Sequence, residues 1–508
     1  MGITLTYSSA RFEGLHNSDS LNLTVRFSPD WIFQKSPLTF CVIPPMRTPG
    51  IVFGMPVYLA ATITLLPHST PLAAQTVGTD AAPGIGLWRS DPDYPMPYGV
   101  ASEEQIIRTL ERLTHYVDVN CPIRWIDLDT HQPIEGIDSG TKNPGLEFGL
   151  FSPMGYEWGV TYAGMLLAAE VTGDDRYLDY VRKRFEAIDA IGQHYLKMQP
   201  DQRPRRFLVQ GLLHPRNLDQ CGSMTAALIK AREVGIGTHL QDLIEPSMQF
   251  IRNQEKRLDD GTFARDRPLP NSLWLDDLYM SVPALAQWGA TTGDAAALDD
   301  ACNQLIGMHQ RMFVASSGLY RHGWVQEMNP HPVFPWGRAN GWTIMATAEL
   351  LSVLPENHPK FAQVLSQFRE HAQGIAAHQG IRGFWHQLLD RPNTYEESSA
   401  SAMFVFALAR GINRGWLDAS AYGPVVTLGW HAISTAVDAN GAFHHTCVGT
   451  GMGWDPAFYA YRPVSIHAAH GYGPLLLAGA ETIQFLRGEG QQSRLHDSAV
   501  HVGNTPDW

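Results

Sequence analysis

Two adjacent carboxylates stand between large apolar residues in the stretch Trp274-Leu-Asp-Asp-Leu-Tyr-Met280. On a helix, neighbouring side chains point about 100° apart, so one of Asp276 and Asp277 can face the interior while the other faces water. Burial raises the pKa of a carboxyl group, which would keep a proton ready for donation near neutral pH. Alternatively, both acids lie in the first turn of a helix, where its dipole favours negative charge. This stretch alone favours the second interpretation, since Asp is ordinary in a first turn.

Two further stretches combine polar side chains with neighbours that could shape a site. Asp219 stands near the start of a predicted helix in Asn217-Leu-Asp-Gln-Cys-Gly222, most simply as a cap or a first-turn acid. Trp336-Gly-Arg-Ala-Asn-Gly-Trp342 alternates aromatic, guanidinium and amide side chains directly before a helical run. A guanidinium among aromatic rings suits a planar carboxylate, and the alternative is that Arg338 stacks on tryptophan as packing.

The familiar metal, phosphate and serine-nucleophile motifs are absent from the sequence. Gly449-Thr-Gly-Met-Gly453 is rich in glycine, but no Lys-Ser/Thr follows it and no strand is predicted before it, so it is not a P-loop. No His-Glu-x-x-His, Gly-x-Ser-x-Gly or EF-hand pattern occurs. The sequence therefore gives no case for a metal ion, a cofactor or a serine nucleophile.

A short phrase that joins a glycine turn to an aromatic and a basic or imidazole side chain recurs roughly every 57 to 65 residues. Its four copies are Gly261-Thr-Phe-Ala-Arg265, Gly318-Leu-Tyr-Arg-His322, Gly383-Phe-Trp-His386 and Gly441-Ala-Phe-His-His445. Such spacing predicts equivalent places in successive structural units.

The chain between these phrases has a helical pattern. Ser102 to Gln105 forms a predicted capping box, and apolar residues follow at helical spacing. Thr172-Gly-Asp174 returns as Thr292-Gly-Asp294, about 120 residues later, which is two units of about 60. We predict one domain over residues 99–490, an all-α (α/α)6 barrel of six helical hairpins closed into a ring, with a C-terminal tail over 491–508. Ring closure would gather the repeated connections around one mouth.

Composition excludes some classes of function. The chain has 508 residues, a hydrophobic fraction of 44% and a formal charge of −13, from 37 basic and 50 acidic residues. A globular protein is predicted, and nucleic acid is not its partner, because such binding needs a basic face. A small anionic ligand remains compatible with this charge, since it needs only local Arg and His.

The first part of the chain carries the pattern of a secretory signal peptide. Met46-Arg47 is followed by a largely apolar run from Ile51 to Leu66 and by small residues up to Ala74. Pro56 interrupts this run, which is also too short for a membrane span. We predict an artefactual extension over 1–45, a signal peptide over 46–74 and a lead-in over 75–98, so that the mature protein is periplasmic or secreted. The four cysteines of the mature chain permit disulfides without specifying any.

Five stretches, in this order along the chain, together resemble the unsaturated rhamnogalacturonyl hydrolases, glycoside hydrolase family 105, which are related to the unsaturated glucuronyl hydrolases of family 88. They are Tyr156-Glu-Trp-Gly159, Leu218-Asp-x-Cys-Gly222, Trp274-Leu-Asp-x-Leu-Tyr-Met280, Trp336-x-Arg-x-Asn-Gly-Trp342, and His386 near Glu397-Ser-Ser-Ala-Ser401. The resemblance runs from about Gly99 to Leu486. Its family fold is an (α/α)6 barrel, in agreement with the hairpin count.

The resemblance implies a hydration reaction. Such enzymes act on oligosaccharides cut by polysaccharide lyases, whose non-reducing end is a 4,5-unsaturated uronic acid. Protonation of ring carbon four creates an oxocarbenium-like centre at carbon five, water adds there, and the hemiketal collapses to release the sugar. One carboxyl group that gives a proton and later accepts one is sufficient.

Carried over residue by residue, the resemblance assigns Asp276 as the catalytic acid and Asp219 as the other active-site aspartate. It makes Asp277 an ordinary helix-terminus carboxylate. The positions that match the sugar subsite are Tyr156, His322, Trp336, Arg338 and Trp342, with Arg338 on the substrate carboxylate or hydroxyls and the aromatics stacked on the unsaturated ring.

One position departs from the family pattern. Better-known members have His about eleven residues before the catalytic Asp, where this chain has Arg265. We therefore expect Arg265 to contact the neighbouring sugar and to favour a more anionic one.

Two other functions stay open at this point. An ordinary inverting glycosidase could use Asp219 and Asp276 as an acid and base pair on saturated sugars. A non-catalytic carbohydrate-binding protein would keep the aromatic residues without needing Asp276. The residues also leave open whether the unsaturated sugar derives from galacturonic or glucuronic acid, which sugar follows it, and the oligomeric state.

Overall fold

The computed structural model describes residues 101–488. The predicted extension (1–45), signal peptide (46–74), lead-in (75–98) and C-terminal tail (491–508) lie outside these described residues, as do the outermost residues of the predicted domain.

Helices account for most of the described chain. In chain order they are α1 (Glu103–Asn120), α2 (Tyr156–Thr172), α3 (Asp175–Lys197), α4 (Gln210–Leu213), α5 (Leu218–Glu233), α6 (Gln241–Asn253), α7 (Asp276–Tyr279), α8 (Val282–Thr292), α9 (Ala295–Met312), α10 (Gly337–Leu351), α11 (Phe361–Ala377), α12 (Ser398–Asn413), α13 (Ala419–Thr435), α14 (Pro456–Ala460) and α15 (Tyr472–Arg487).

Twelve of these helices form two concentric rings. The inner ring runs α2, α5, α8, α10, α12 and α15, and α15 packs back against α2 to close it. The outer partners of these six helices are, in the same order, α3, α6, α9, α11, α13 and α1. The predicted (α/α)6 barrel of six helix pairs is therefore confirmed.

The sequence explains which helices lie inside. The outer helix α1 has one apolar stripe, which buries Ile106, Leu110, Leu113 and Val117, and it begins with the predicted capping box of Ser102 and Gln105. Every residue of α10 and nearly every residue of α12 is buried. A helix without a polar face needs neighbours on all sides, which only an inner position provides.

Short antiparallel strand pairs lie in the connections between helices. They are β1 (Trp125–Asp127) with β2 (Pro144–Leu146), β3 (Ser272–Trp274) with β6 (Gly323–Val325), β4 (Phe313–Val314) with β5 (Leu319–Tyr320), and β7 (Trp385–His386) with β8 (Glu396–Glu397). Trp274 pairs with Gly323, so this ladder brings Asp276, two residues after Trp274, close to His322, which directly precedes Gly323.

The four repeated phrases occupy equivalent places, as their spacing predicts. Each begins with a glycine at positive φ, between 68° at Gly318 and 94° at Gly383, and buries its aromatic residue two positions later. Three of the turns lie so close to an outer helix that a Cβ would meet its backbone: Gly318 at Gly374 of α11, Gly383 at Leu428 of α13, and Gly441 at Arg112 of α1. The last of these contacts joins the connection after α13 to α1, the first described helix.

The sixth helix pair is made of α1 and α15, the first and last helices of the described chain. Arg487 near the end of α15 forms an ion pair with Glu103 at the start of α1, with an N–O distance of 2.5 Å. The Nη1 of Arg487 also donates to the carbonyl of Val171 at 2.6 Å. Five hairpins are thus consecutive in the chain, and the sixth pair closes the ring.

The cysteines of the described chain carry no disulfide: Cys121, Cys221, Cys302 and Cys447 are buried free thiols. No helix within residues 101–488 is long and apolar enough to cross a membrane.

We predict that Gly441→Ala destabilises the protein by about 1–3 kcal/mol more than Gly261→Ala. Both glycines have φ near 90° in equivalent turns, so the backbone strain is matched. A Cβ at position 441 would lie 2.1 Å from the carbonyl oxygen of Arg112, whereas nothing lies within 4 Å of one at position 261. Urea unfolding followed by circular dichroism measures the difference, and equal losses would show that this contact does not stabilise the closed ring.

Candidate functional site

The amino ends of the inner helices meet at one end of the barrel. Consecutive inner helices run in the same direction, because an outer helix returns the chain between them. Tyr156 begins α2, Asp219 is the second residue of α5, and Arg338 is the second residue of α10. Asp276 begins α7, directly before α8. The predicted site residues therefore come from separate parts of the chain to this one mouth.

Asp276 presents a free carboxylate oxygen to this mouth. Its Oδ2 lies 3.2 Å from Nε2 of His322, and Oδ1 accepts no hydrogen bond from residues 101–488. One fifth of the side chain is exposed (20%). An oxygen that is both unpaired and accessible can reach a bound molecule.

His322 lies behind Asp276 and is fully buried, so it reaches the mouth through the Asp276 carboxyl group, and its place in a sugar subsite stays a prediction. Its Nδ1 shares a hydrogen bond of 2.7 Å with the hydroxyl of Tyr459, which also accepts one from the backbone of Gly453 at 2.9 Å. Its ring packs on Trp336, with centroids 4.6 Å apart. Both ring nitrogens are therefore fixed, and the imidazole orients the Asp276 carboxyl group.

The pKa of Asp276 differs from the raised value expected from its apolar flanks. Burial raises it, but the hydrogen bond and charge of His322, together with the charges of Arg265 and Arg338, outweigh burial. The net result is a pKa below the ordinary value for Asp. In the free protein, Asp276 is therefore an ionised carboxylate near neutral pH.

Asp277 lies in the first turn of α7, as expected for a helix-terminus carboxylate, but it does not face solvent. It is fully buried and accepts hydrogen bonds from Arg265, whose Nε lies 2.9 and 3.0 Å from its two oxygens. Burial raises its pKa, and the guanidinium opposes this effect. Asp277 thus faces the interior, where it pairs with Arg265, while Asp276 faces the mouth.

Arg265 joins two parts of the barrel through its carboxylate partners. Besides Asp277, it binds Asp219 through Nη1 and Nη2 at 2.8 and 2.7 Å. Arg267 donates to the same Asp219 at 3.1 Å, and both guanidinium groups lie over the ring of Trp274. All three nitrogens of Arg265 are occupied by the protein, so the structure does not favour the expected contact with an anionic sugar. Asp219 is correspondingly held in place from one side.

Glu255 adds a third carboxyl group to this network. One of its oxygens, Oε2, is buried without a partner among the described residues. Burial and the nearby charge of Asp277 raise the pKa of Glu255 to about 7. This neighbour of Asp219 and Asp277 therefore exchanges its proton near neutral pH.

The Arg338 guanidinium is 1% exposed and bonded mainly to the protein itself. Nη1 donates to the carbonyl of Cys447 at 2.6 Å and Nη2 to that of Val448 at 2.7 Å, while the group stacks over Trp336 at 4.6 Å. It lies inside the first turn of α10 rather than before it. The packing alternative considered for this residue therefore fits its contacts better than a direct carboxylate contact.

Trp336 and Trp342 are each 1% exposed, so neither has a free face on which a sugar ring could stack. Trp336 donates from its indole nitrogen to Gln387 at 3.1 Å. Trp342 packs between Tyr156 and Tyr279, with centroids 6.5 and 5.1 Å away. The two tryptophans form the wall behind the site in this structure, and their stacking on the unsaturated ring stays a prediction.

Tyr156 remains at the mouth, where it is only half-buried. Its hydroxyl shares a hydrogen bond of 2.6 Å with Nε2 of His470, which also lies 3.5 Å from Glu157. Burial lowers the pKa of His470 well below the ordinary value, so its imidazole is neutral. Burial raises the pKa of Glu157.

Several residues of this site escaped the sequence analysis. Gln387 stands four residues after Gly383, as Arg265 and His322 do after their own glycines, so the repeat could have identified it. Tyr459 and His470 follow no repeated phrase, and only the structure brings them to the mouth. The glycine-rich segment 449–453, rejected as a phosphate loop, contributes the Gly453 backbone to Tyr459.

Comparison with known proteins gives this arrangement a context. Residues 137–486 match the family described as Glycosyl Hydrolase Family 88. The unsaturated 3S-rhamnoglycuronyl hydrolase of Alteromonas sp. (strain LOR) is 31% identical over 216 residues, which cover 41% of this chain and 51% of that protein. The alignment thus spans about half the length of this relative.

Two further similarities extend over more of the chain. The unsaturated rhamnogalacturonyl hydrolase YesR of Bacillus subtilis (strain 168) is 24% identical over 305 residues, 58% of this chain and 80% of that protein. A crystal structure of a possible member of the GH105 family from Salmonella enterica superposes with a TM-score of 0.60, at 21% identity, over 78% of this chain and 96% of that one. The last comparison supports the fold.

We predict that Arg265→Gln lowers the free energy of unfolding by about 3–5 kcal/mol, because it leaves the buried Asp277 carboxylate without its partner. Adding Asp277→Asn to this variant removes the unpaired charge and should recover a large part of the loss. Chemical unfolding of both variants measures this. A double variant no more stable than Arg265→Gln would contradict the ion pair as the source of the effect.

Proposed function

The chain belongs to glycosyl hydrolase family 88, and on this premise we propose that it releases 4,5-unsaturated uronic acid from the non-reducing end of lyase-generated oligosaccharides, with rhamnogalacturonan (pectin) fragments as the source. The names of two relatives support an unsaturated substrate: the Alteromonas protein is an unsaturated 3S-rhamnoglycuronyl hydrolase, and YesR of Bacillus is an unsaturated rhamnogalacturonyl hydrolase. Only the name of YesR supports rhamnogalacturonan as the source. The resemblance noted in the sequence motifs points to the same family.

The observation that carries the proposal is the chain of contacts Asp276, His322 and Tyr459 at the mouth. Asp276 presents one unpaired oxygen, and the imidazole fixed by Tyr459 holds the other. A single carboxyl group in a fixed orientation is what hydration of an enol ether requires, because the same group gives a proton and later takes one back.

In the proposed reaction, protonated Asp276 gives its proton to carbon four of the unsaturated ring, and positive charge develops at carbon five. A water molecule adds to carbon five, and the Asp276 carboxylate accepts its proton. The resulting hemiketal opens, the bond between carbon one and the glycosidic oxygen breaks, and the next sugar leaves as an alcohol. Asp276 ends each cycle protonated.

Binding of the substrate itself favours the protonated form of Asp276, which the first step requires. Asp276 is ionised in the free protein, since its pKa lies below the ordinary value. A uronic acid brings its own carboxylate into the mouth, and a second negative charge nearby favours the protonated form of Asp276. The positive ends of the inner-helix dipoles, which meet at this mouth, favour the substrate carboxylate.

Asp219 has a different role in this proposal. Both of its oxygens accept hydrogen bonds from the Arg265 guanidinium, so the side chain is fixed and orients the substrate from the side opposite Arg265. An inverting glycosidase would instead use Asp219 as one member of an acid and base pair. The two reactions differ in substrate, because only hydration consumes the double bond.

We also propose export of the mature protein to the periplasm or the medium, supported by the signal-peptide pattern between Met46 and Ala74.

We predict that Asp276→Asn lowers kcat by about 10²–10⁴-fold with little change in KM, because the amide keeps the shape of the site but cannot transfer the proton. The assay follows the loss of enol-ether absorbance with unsaturated disaccharides from lyase digestion. Asp266→Asn, an exposed acid outside the site, is the matched control and should keep wild-type kcat.

Normal turnover by Asp276→Asn would remove this residue from the mechanism. Saturated disaccharides tested in parallel separate the alternatives. Release of sugar from these at a rate similar to that from unsaturated ones would favour the inverting glycosidase over hydration.

For export, we expect the protein recovered from the periplasm or medium to begin near Gln75, after cleavage at Ala74. Amino-terminal sequencing measures this. A recovered chain that begins near Met1 would contradict both the proposed start at Met46 and the cleavage.

A further inference from the structure

A second cavity, of about 390 Å³, adjoins the candidate site. Its walls come from the segment between Leu150 and Trp158 and from two parts of the late loop, Val448 with Gly449 and Ser465 to His470. Glu157 and His470 belong to this cavity and also contact each other and Tyr156 at the mouth. The cavity therefore begins where the Tyr156 side of the mouth ends.

A second contact joins the cavity to the site. The carbonyl of Val448, one of the lining residues, accepts a hydrogen bond from Arg338 at 2.7 Å. Arg338 in turn is close enough to lower the pKa of Asp276. A molecule that extends from Asp276 past Tyr156 thus reaches this cavity next, and its volume is within the range of about 300–1,000 Å³ typical of small-molecule sites.

The lining suits a hydroxylated ring. Polar side chains, which can accept or donate hydrogen bonds to hydroxyl groups, alternate with apolar ones that cover a ring face. The polar set is Ser152, Glu157, Ser465, His467 and His470. At the outer lip, Leu150 is 49% exposed, with the buried Phe151 and Trp158 behind it.

The charge of the lining argues against an acidic ligand. Among the cavity-lining residues of the described chain there is no Lys or Arg. The nearest guanidinium groups, Arg338 and Arg462, donate to the carbonyls of Val448 and Gly449. Glu157 is an acid, and His470 is neutral because burial lowers its pKa. A sulfate or carboxylate here would be desolvated beside Glu157 without a lining cation, which is costly.

We propose that this cavity binds the sugar attached to the unsaturated uronic acid, and that Glu157 makes it select a neutral hydroxylated sugar over a sulfated or carboxylated one. This inference rests on the proposed function, which places the uronic acid at Asp276. It replaces the expectation of an anionic neighbour that the sequence position of Arg265 suggested.

The test compares two unsaturated disaccharides that share the same uronic acid and differ only in a sulfate on the second sugar. Absorbance assays at pH 8, where an ordinary imidazole is neutral, give kcat/KM for each. We expect the wild type to prefer the neutral disaccharide by about tenfold or more, as expected for one unfavourable charge contact. Glu157→Gln should narrow this ratio several-fold, and Glu170→Gln, an exposed acid on the same helix, should leave it unchanged.

A second variant is placed at the exposed lip, where folding is not at risk. Leu150→Lys supplies the missing cation and should raise kcat/KM for the sulfated disaccharide several-fold relative to the neutral one. The inference is overturned if the wild type turns over both disaccharides equally, or if neither Glu157→Gln nor Leu150→Lys changes the ratio. If the wild type consumes neither disaccharide nor any other unsaturated substrate, the proposed function itself has failed, which is a distinct result.

Discussion

Six helices that lack a polar face can be buried only by surrounding one another, and the rest of this structure depends on that constraint. An open row of such helices would leave the two end members exposed on one side. Closing the row into a ring removes both exposed faces at once. Because an outer helix returns the chain after each inner one, closure also points the inner helices in one direction and brings their amino ends together.

The two ends of the resulting barrel differ in their charges. At the mouth, carboxyl groups and guanidinium groups stand close to the positive ends of the helix dipoles, with the unpaired oxygen of Asp276 facing outward. Towards the other end of the same helices, Arg410 of α12 binds Glu349 of α10 at 2.8 Å and Glu481 of α15 at 2.6 Å, and all three are buried. Asn413 donates to Glu481 as well. The charged groups at that end are paired with one another, whereas the mouth has a carboxylate oxygen free to contact a bound molecule.

The fold could be predicted from the sequence because the spacing of apolar residues along a helix follows directly from which of its sides are buried. The repeated glycine phrases indicate left-handed turns, and the apolar stripe of α1 indicates one buried face. Both features are local, so they can be predicted without knowing which helix packs against them. The site was less accessible, since its roles depend on contacts between distant residues. Asp276 and Asp277 are neighbours of the same type, and only Arg265 and His322 decide which of them is buried in an ion pair and which is presented to solvent.

The same limit explains why the sequence did not reveal how the tryptophans and Arg338 pack. Aromatic residues and arginine in one short stretch are compatible with either a binding surface or the wall behind it. In the structure, hydrogen bonds to Cys447, Val448 and Gln387, which come from later parts of the chain, hold Arg338 and Trp336 in the wall. Tyr459 fixes the imidazole beside Asp276 from a loop with no repeated pattern. Such residues are found by proximity in space, which sequence spacing does not encode.

The pairing of α1 with α15 has a consequence for how the protein is made. During synthesis, α2 is complete long before α15, the inner helix that packs against both α2 and α12. Until α15 has been made, the sides of α2 and α12 that it covers have no neighbour, and contacts between segments far apart in sequence, such as α2 and α15, form slowly. The ring therefore stays open until α15 has been made, and the mouth is complete only then.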